Sequence, residues 1–597
     1  MLDPVFLLAL LFVPVLPLCA IAGPIQISVP SAPPSTHVVQ SNFLGISFEL
    51  SFLDEYFGND TSNIPPTIVN YLAALRSRTG NHSLRLRIGG NSMDSSTYVP
   101  SQTSPMVQLM DQAANANDQP VNYGPVLWDV LDKVASDIGG AAYLIGSYSL
   151  LCVCRKTPSS GAAKKLGDNL DAFLLGNEPD LYTSHLDRPK IQNYTTAIYI
   201  DEFRTASNHL TNTSAGDLLK KHDIGGPTIC CSWFTSRSPR SGDNTTSAFD
   251  SILKYISLQH YPQNNCGGSY DYEIPYYVQH ANVVSLGSWQ NSGVTKVVSK
   301  TGPNRQEVIL SEFNSASCGG IPTISDTFAV GSLWTIDYAL QLASVGYSAA
   351  YIHTRERGIS YNIFSPPDGP NGAPGSWTTN PPFYSLLVTA EALRSQNGSI
   401  VADLDISGSK QNVNATVSGY AVYDAVNSTV EQLVFFNFAN VSSSAGSSAS
   451  FAVPANAFSA NKRNALTVKY LVGESMQEKN NIGWGGETFA DVGDGKLVAT
   501  NATWAPANTQ VDCTNGCTIT VPAPGMAVVF AGTAPKNKPS GTTGTTGSVS
   551  AGSSATTGTI NKSASGTGIN VDSFSFSVMV LCSILTFVLA QCTESLL

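Results

Sequence analysis

Between residues 40 and 355 the chain repeats one alternation eight times, and that series constrains the fold more than any other feature. Short apolar runs fall at 43–48, 84–88, 143–148, 172–176, 223–231, 255–259, 307–311 and 346–352. Helix-compatible stretches such as 66–78, 126–138, 198–210 and 327–343 lie in the intervals. A strand-length apolar run followed by a helical pattern is the unit of a parallel sheet. Eight such units in series predict a closed (β/α)8 barrel, assigned to residues 41–385, rather than an open sheet.

From residue 386 the texture changes. Period-two runs at 420–423, 432–438, 466–470 and 526–530 are separated by Gly, Asn and Ser, which predicts an antiparallel β-sandwich over 386–533. Near the start, Ile25, Ile27 and Val29 alternate with Gln26 and Ser28, so residues 23–40 are expected to return a strand to that sandwich. The expected fold is α/β: a (β/α)8 TIM barrel with a C-terminal antiparallel β-sandwich domain.

Both ends read as processing signals. Residues 6–15 are an almost unbroken apolar run, and Ala20-Ile21-Ala22 presents small residues to a signal peptidase. Residues 1–22 are therefore expected to be a signal peptide, although the n-region carries Asp3 and no Lys or Arg. The run is too short to span a membrane. Residues 534–568 form a Ser/Thr/Gly-rich linker that cannot bury enough surface to fold. In 569–597 an apolar stretch at 574–590 follows, and small residues at 563–565 complete the layout of a glycosylphosphatidylinositol signal, with Ser563 as attachment site. The competing reading is a single-pass helix, against which no Lys or Arg follows the tail. The expected location is the extracellular face of the membrane or the cell wall, with a lipid anchor as the only membrane contact.

Composition agrees with that compartment. Eleven Asn-x-Ser/Thr sequons begin at Asn59, Asn81, Asn193, Asn212, Asn244, Asn397, Asn414, Asn427, Asn440, Asn501 and Asn561, a density suited to a glycosylated surface. Eight cysteines remain once both terminal segments are removed: Cys152, Cys154, Cys230, Cys231, Cys266, Cys318, Cys513 and Cys517. An even number in an oxidising compartment points to disulfides whose pairing sequence leaves open, Cys513 and Cys517 being the nearest local pair. No His stands at ligand spacing beside them, so neither metal nor cofactor is expected. A formal charge of −11 excludes nucleic acid as a partner.

In a barrel of this kind the reactive groups belong at the C-terminal ends of the strands. Two apolar runs end there on a glutamate: Phe173-Leu174-Leu175-Gly176-Asn177-Glu178-Pro179 on strand four and Val308-Ile309-Leu310-Ser311-Glu312-Phe313 on strand seven. Hydrolysis of a glycoside needs one carboxylic acid to protonate the leaving oxygen and a second carboxylate to attack or stabilise the anomeric carbon, while an Asn before the acid can bind the 2-hydroxyl. The competing reading is that each carboxylate merely caps the following helix.

Asn177-Glu178-Pro179 with Glu312 resembles the clan A glycoside hydrolases, which are retaining enzymes. Three further segments narrow the resemblance: Gly45-Ile46-Ser47-Phe48-Glu49, Arg87-Ile88-Gly89-Gly90-Asn91-Ser92-x-Asp94, and Ser311-Glu312-x-Asn314-Ser315-x-Ser317-Cys318-Gly319-Gly320. Together they look like glycoside hydrolase family 79, the β-glucuronidase and heparanase family, and its fungal lipid-anchored branch, over residues 24–533. The resemblance implies Glu178 as acid/base and Glu312 as nucleophile, with Glu49 and Asp94 holding sugar hydroxyls. It places Arg87 beside Glu312, His260 and Tyr261 at the end of strand six, and Tyr277 nearby. Uronate recognition would come from the amides of Gly319 and Gly320 with Tyr361. Arg85 shares a face with Arg87 and is either a site residue or a structural ion pair. The implied substrate is a β-glucuronide-containing glycan cleaved in exo fashion. Two alternatives stay open: another clan A enzyme of β-glucosidase or β-xylosidase type, and a non-catalytic carbohydrate-binding protein of the cell wall. Heparanase action fits poorly, because no run of Lys or Arg is present to grip a polyanion.

Overall fold

The computed structural model describes residues 23–532 apart from 112–118, 148–157, 186, 189, 234–248, 250, 303–304, 368–376 and 441–447. The expected signal peptide, linker and anchor tail, with Ser563 and Asn561, lie outside the described residues, as do Asn244, Cys152 and Cys154.

Eight parallel strands close into a barrel: β1 (Leu44–Glu49), β2 (Leu84–Gly89), β3 (Ala141–Ser147), β4 (Leu170–Leu175), β5 (Ile224–Ile229), β6 (Leu253–His260), β7 (Glu307–Phe313) and β8 (Ala349–Thr354). Each pairs with the next in chain order, and β8 returns to β1 through the register Ala350↔Leu44 to Thr354↔Phe48. The strands read as apolar runs because both faces are covered. Outward residues such as Ile46, Leu86, Phe173 and Leu310 join the main core. Leu144, Ala172, Leu174, Tyr255, Ile309, Ala349 and Tyr351 form a separate cluster within the barrel. Arg85 lies in that lower interior, 3.5 Å from Asp171 and 3.3 Å from the Tyr255 hydroxyl, so it is the structural ion pair and not a site residue.

The intervening helices include Pro66–Arg76, Pro125–Ile138, Thr196–Leu210, His280–Gly287 and Thr335–Val345. The last is preceded by wide π-helical turns over Phe328–Trp334, where Gly331 leaves room for Pro381 and Pro382. The helix Pro381–Ala392 crosses the boundary expected at 385/386, so the change to sheet falls between Ala392 and Ser399.

The C-terminal domain is a sandwich of unequal sheets. The nine-stranded sheet is built on β9 (Ser399–Asp403), β10 (Val417–Asp424), β11 (Val430–Asn437), β13 (Leu466–Gly473) and β15 (Gly525–Phe530). The second sheet has three strands: Ile25–Gln26, β12 (Ala449–Val453) and β14 (Cys517–Val521), with Ile25 opposite Phe451. Side chains alternate between two environments. On β10, Ala421 and Tyr423 face the second sheet with Leu433, Phe435, Phe451 and Ile519, whereas Tyr420 and Val422 join the barrel core. This two-sided burial docks the domain on the barrel. At the seam His280 lies between Asp337, at 2.9 Å, and Asp403, at 3.1 Å, and the Tyr420 hydroxyl donates to Asp337 at 2.7 Å.

Among the described residues three cysteine pairs are bonded: Cys513–Cys517, as expected, Cys230–Cys231, and Cys266–Cys318. Among the described sequons, Asn81, Asn193, Asn212, Asn397, Asn414, Asn427, Asn440 and Asn501 are exposed and Asn59 is half-buried. Asn397 differs in that its amide donates to both carboxylate oxygens of Asp424 at 3.1 Å.

Candidate active site

Glu178 follows β4 directly and is held in a left-handed backbone conformation, φ 47°, which L-residues adopt rarely and which concentrates at functional sites. Its amide donates to the Thr228 carbonyl of β5 at 3.0 Å, and its own carbonyl accepts from Leu181 at 2.8 Å. The side chain is buried. That burial, followed by the nearby charges of Glu312 and Asp180, pushes the Glu178 carboxyl well above the usual carboxylate range.

Glu312 is aimed by a bulge. The register of β7 on β8 shifts by one residue between Leu310 and Phe313. Straight alternation from the inward Ile309 would send residue 312 outward with Leu310; the extra residue turns it into the barrel instead. There the Arg87 guanidinium donates from Nη1 to Glu312 Oε2, and the Tyr261 hydroxyl donates to Oε1 at 2.8 Å. His353, on β8, brings Nε2 to 3.8 Å of the same carboxylate. Burial alone would raise the proton affinity of Glu312, but His353 and Arg87 outweigh it and the pKa falls below the ordinary value. Two buried carboxyl groups at one barrel rim are thus driven in opposite directions.

Arg87 joins the two halves of the site. Its Nη2 donates to Asn177 Oδ1 at 2.6 Å, and its Nη1 also reaches Ser47 Oγ at 2.9 Å. Asn177 is fixed on every side, because its Nδ2 donates to Asn91 at 2.8 Å and its backbone amide donates to Asp94 Oδ2 at 2.9 Å. Asp94 also accepts from the Tyr182 hydroxyl at 2.6 Å, and Glu49 accepts from the amide and hydroxyl of Ser92. Glu49 further lies 3.4 Å from His353 Nε2 and packs so closely on Gly90 that a Cβ there would overlap its carboxylate. Both carboxylates therefore help hold the site together, Asp94 at the Asn177 backbone and Tyr182, and Glu49 at Ser92 and beside His353.

The loop after β7 brings the other expected residues together. Gly320 packs against Tyr361 and Gly319 against Ile359, and the Ser360 amide donates to the Gly319 carbonyl at 2.9 Å. Tyr361 is buried, with its ring centroid 6.2 Å from that of His353. Tyr277 does not face the site: its hydroxyl donates to the Ser315 carbonyl at 2.6 Å and accepts from Gln263 at 2.7 Å, bracing the loop from behind. His260 is a correction. At the end of β6, Gln259 and the following Tyr261 face inward, so the intervening His260 points out, stacked on Trp289 with centroids 4.4 Å apart. Burial there pushes its pKa down to about 4, and it is a packing residue.

Sequence reasoning missed Ser47, His353 and Gln259. Gln259 is fully buried and brings its amide to the two key side chains that follow β4. Nε2 donates to Asn177 Oδ1 at 2.7 Å, and turned by half a rotation the amide donates to Glu178 Oε1 at 2.7 Å. The signal available for these three was their inward phase on strands already identified. Among the described residues no group of three or more His, Cys, Asp or Glu is arranged to hold a metal ion.

Comparison with known proteins adds family evidence at the C-terminal domain. Residues 419–528 match the model of the glycosyl hydrolase family 79 C-terminal beta domain. A β-glucuronidase of Neurospora crassa is 25% identical over 399 residues, 62% of this chain and 66% of that protein, so the match spans just under two thirds of the relative's length. The crystal structure of a 4-O-α-L-rhamnosyl-β-D-glucuronidase from Fusarium oxysporum 12S superposes with a TM-score of 0.64 at 20% identity, covering 85% of this chain and 100% of that one. A family 51 α-L-arabinofuranosidase from Bifidobacterium longum gives 0.50 at 12% identity, over 85% and 99% of the two chains. At these identities the structural likeness is one of fold.

Proposed function

We propose that this chain is a retaining β-glycoside hydrolase of the family 79 type, exo-acting on β-glucuronides of glycoconjugates or polysaccharides. The observation that carries the reading is the asymmetry of the two buried glutamates. Glu312 is given a cation, a hydroxyl donor and a histidine, whereas the environment of Glu178 favours its neutral form. In that arrangement Glu178 protonates the leaving oxygen while Glu312 attacks the anomeric carbon, forming a glycosyl-enzyme. Glu178, now ionised, then takes a proton from the water that releases the sugar. Tyr261 and Arg87 keep Glu312 ionised and oriented, and Asn177 is presented for the 2-hydroxyl. The family 79 match and the Neurospora β-glucuronidase support the same class.

The substrate half of the reading rests on Gly319, Gly320 and Tyr361, gathered beside the nucleophile strand as a receptor for a carboxylate. A uronate gains charge-assisted hydrogen bonds there, while a glucoside leaves donors unpaired. Turnover of p-nitrophenyl β-D-glucuronide should exceed that of the glucoside by more than about tenfold in kcat/KM. Tyr361→Phe should lower the glucuronide much more than the glucoside. A wild type that favours the glucoside or the xyloside would sink the substrate assignment, and no turnover of any glycoside would favour a binding protein.

The compartment belongs to the same proposal: a secreted protein held on the extracellular face by a glycosylphosphatidylinositol anchor at Ser563. The terminal apolar segments, the sequon density and the paired cysteines support it. Treatment of intact cells with a phosphatidylinositol-specific phospholipase should release the protein. Release by detergent alone, with the tail still present by mass spectrometry, would establish a membrane-spanning helix instead.

A further inference from the structure

The loops after β6 and β7 are stitched together at several points. Cys266 is bonded to Cys318, Ser317 exchanges backbone hydrogen bonds with Gln263 and Asn265, and the Asn265 side chain donates to the Gly320 carbonyl at 2.9 Å. Three successive residues of the second loop then take positive φ: Cys318 at 58°, Gly319 at 90° and Gly320 at 77°. Two are glycines, for which this conformation carries no steric penalty, but Cys318 is an L-residue that disfavours it. Among the described residues the amides of Cys318, Gly319 and Gly320 find no protein acceptor, while the flanking Ser317 and Ile321 amides bond to Gln263 and Ser325. A run of unpaired amides in a turn is an anion receptor.

We propose that the Cys266–Cys318 bridge is the specificity determinant of the sugar site, because it holds Cys318 left-handed and so keeps three amides arrayed for a uronate carboxylate. This rests on the β-glucuronidase reading and adds to it the element that makes the receptor rigid. Without the bridge, residue 318 is free to relax to negative φ, and the following amides lose their alignment. The groups around the nucleophile stand on strands or directly at a strand's end and keep their geometry: Glu312 on β7, Arg87 on β2 and Tyr261 just after β6. Loss of the bridge should therefore separate two properties usually lost together, preference for a charged sugar and catalytic competence.

The test compares full-length wild type with Cys266→Ser/Cys318→Ser and, as a control for thiol chemistry elsewhere, Cys513→Ser/Cys517→Ser. kcat/KM is measured on p-nitrophenyl β-D-glucuronide and on the glucoside, with a thermal melt to establish folding. The site variant should lose about tenfold or more of the glucuronide-to-glucoside ratio, mostly through KM for the glucuronide, while its glucoside activity stays within about twofold. The control should keep the wild-type ratio. A second variant, Cys266→Ser/Cys318→Gly, restores a residue at ease with positive φ and should lose less of the ratio than the double serine. An unchanged ratio in the double serine variant, or equal loss on both substrates in a protein that melts normally, would overturn the proposal. The β-glucuronidase reading itself is decided separately, by the wild-type ratio alone.

Discussion

Arg87 and Glu312 form a buried ion pair in which the arginine side chain is only 1% exposed, and the second arm of the same guanidinium holds Asn177. One residue on β2 therefore sets the charge of the nucleophile and the position of the residue before the acid. Lysine cannot replace it, since a single ammonium has no fork to bridge two acceptors. Arg87→Met should lower kcat/KM by roughly a hundredfold or more, removing one partner of a buried pair costing about 3–5 kcal/mol. The sign for pH follows from the pair. Arg87 helps keep the Glu312 pKa low, so its loss raises that pKa and moves the acid limb of the pH–rate profile upward. An acid limb that stays in place would remove Arg87 from the control of Glu312.

The assignment of roles predicts different chemical rescue. Glu312→Ala should abolish turnover and recover with azide, which replaces the nucleophile. Glu178→Ala should still cleave substrates with good leaving groups, which need no proton. The first sugar released should be the β-anomer by NMR, with the two carboxyl groups about 5–5.5 Å apart. An α-anomer as first product would reverse the retaining assignment.

Gln259 predicts a shift on the opposite limb. Its amide can donate to the ionised Glu178, a charge-assisted bond stronger than any it makes with the neutral acid. Gln259→Met removes that donor, so Glu178 becomes harder to ionise. The basic limb of kcat/KM should move to higher pH. In a Glu178→Ala background the same change should have little further effect. Full loss in that background would mean that Gln259 acts elsewhere.

The His280 clamp predicts pH-dependent stability away from the site. Burial alone would lower its pKa, but Asp337 and Asp403 overcome this and raise it from 6.5 to about 10, with Lys410 the other charge near Asp403 at 3.7 Å. A folded pKa above the unfolded one means the stabilisation is complete below pH about 6.5 and is lost as pH rises towards 10. His280→Gln should therefore lower Tm most at pH 6, with the gap to wild type closing by pH 10. A gap independent of pH would show that the ring contributes by packing alone.

Much of this protein was legible in its sequence, and the reason is local. The eight apolar runs specify a barrel because parallel strands are buried on both faces, and the order of the runs is the order of the strands. Glu178 and Glu312 could be placed because a strand's end is visible in the chain and the barrel puts all such ends at one rim. Partnership, by contrast, was decided in three dimensions. Nothing near Arg85 and Arg87 in the chain separates them, yet one lies with Asp171 in the lower interior and the other with Glu312 at the rim, because two residues of strand rise lead to different layers. His260 turned outward and Gln259 inward through strand phase, and the bulge in β7 that aims Glu312 inward has no marker in the sequence. The protein partners of Glu49 and Asp94, the amides of Ser92 and Asn177 among them, were likewise set by donors that other segments bring up. The Cys266–Cys318 bridge belongs to the same class: composition foretold disulfides, but only the proximity of two rim loops chose this pair.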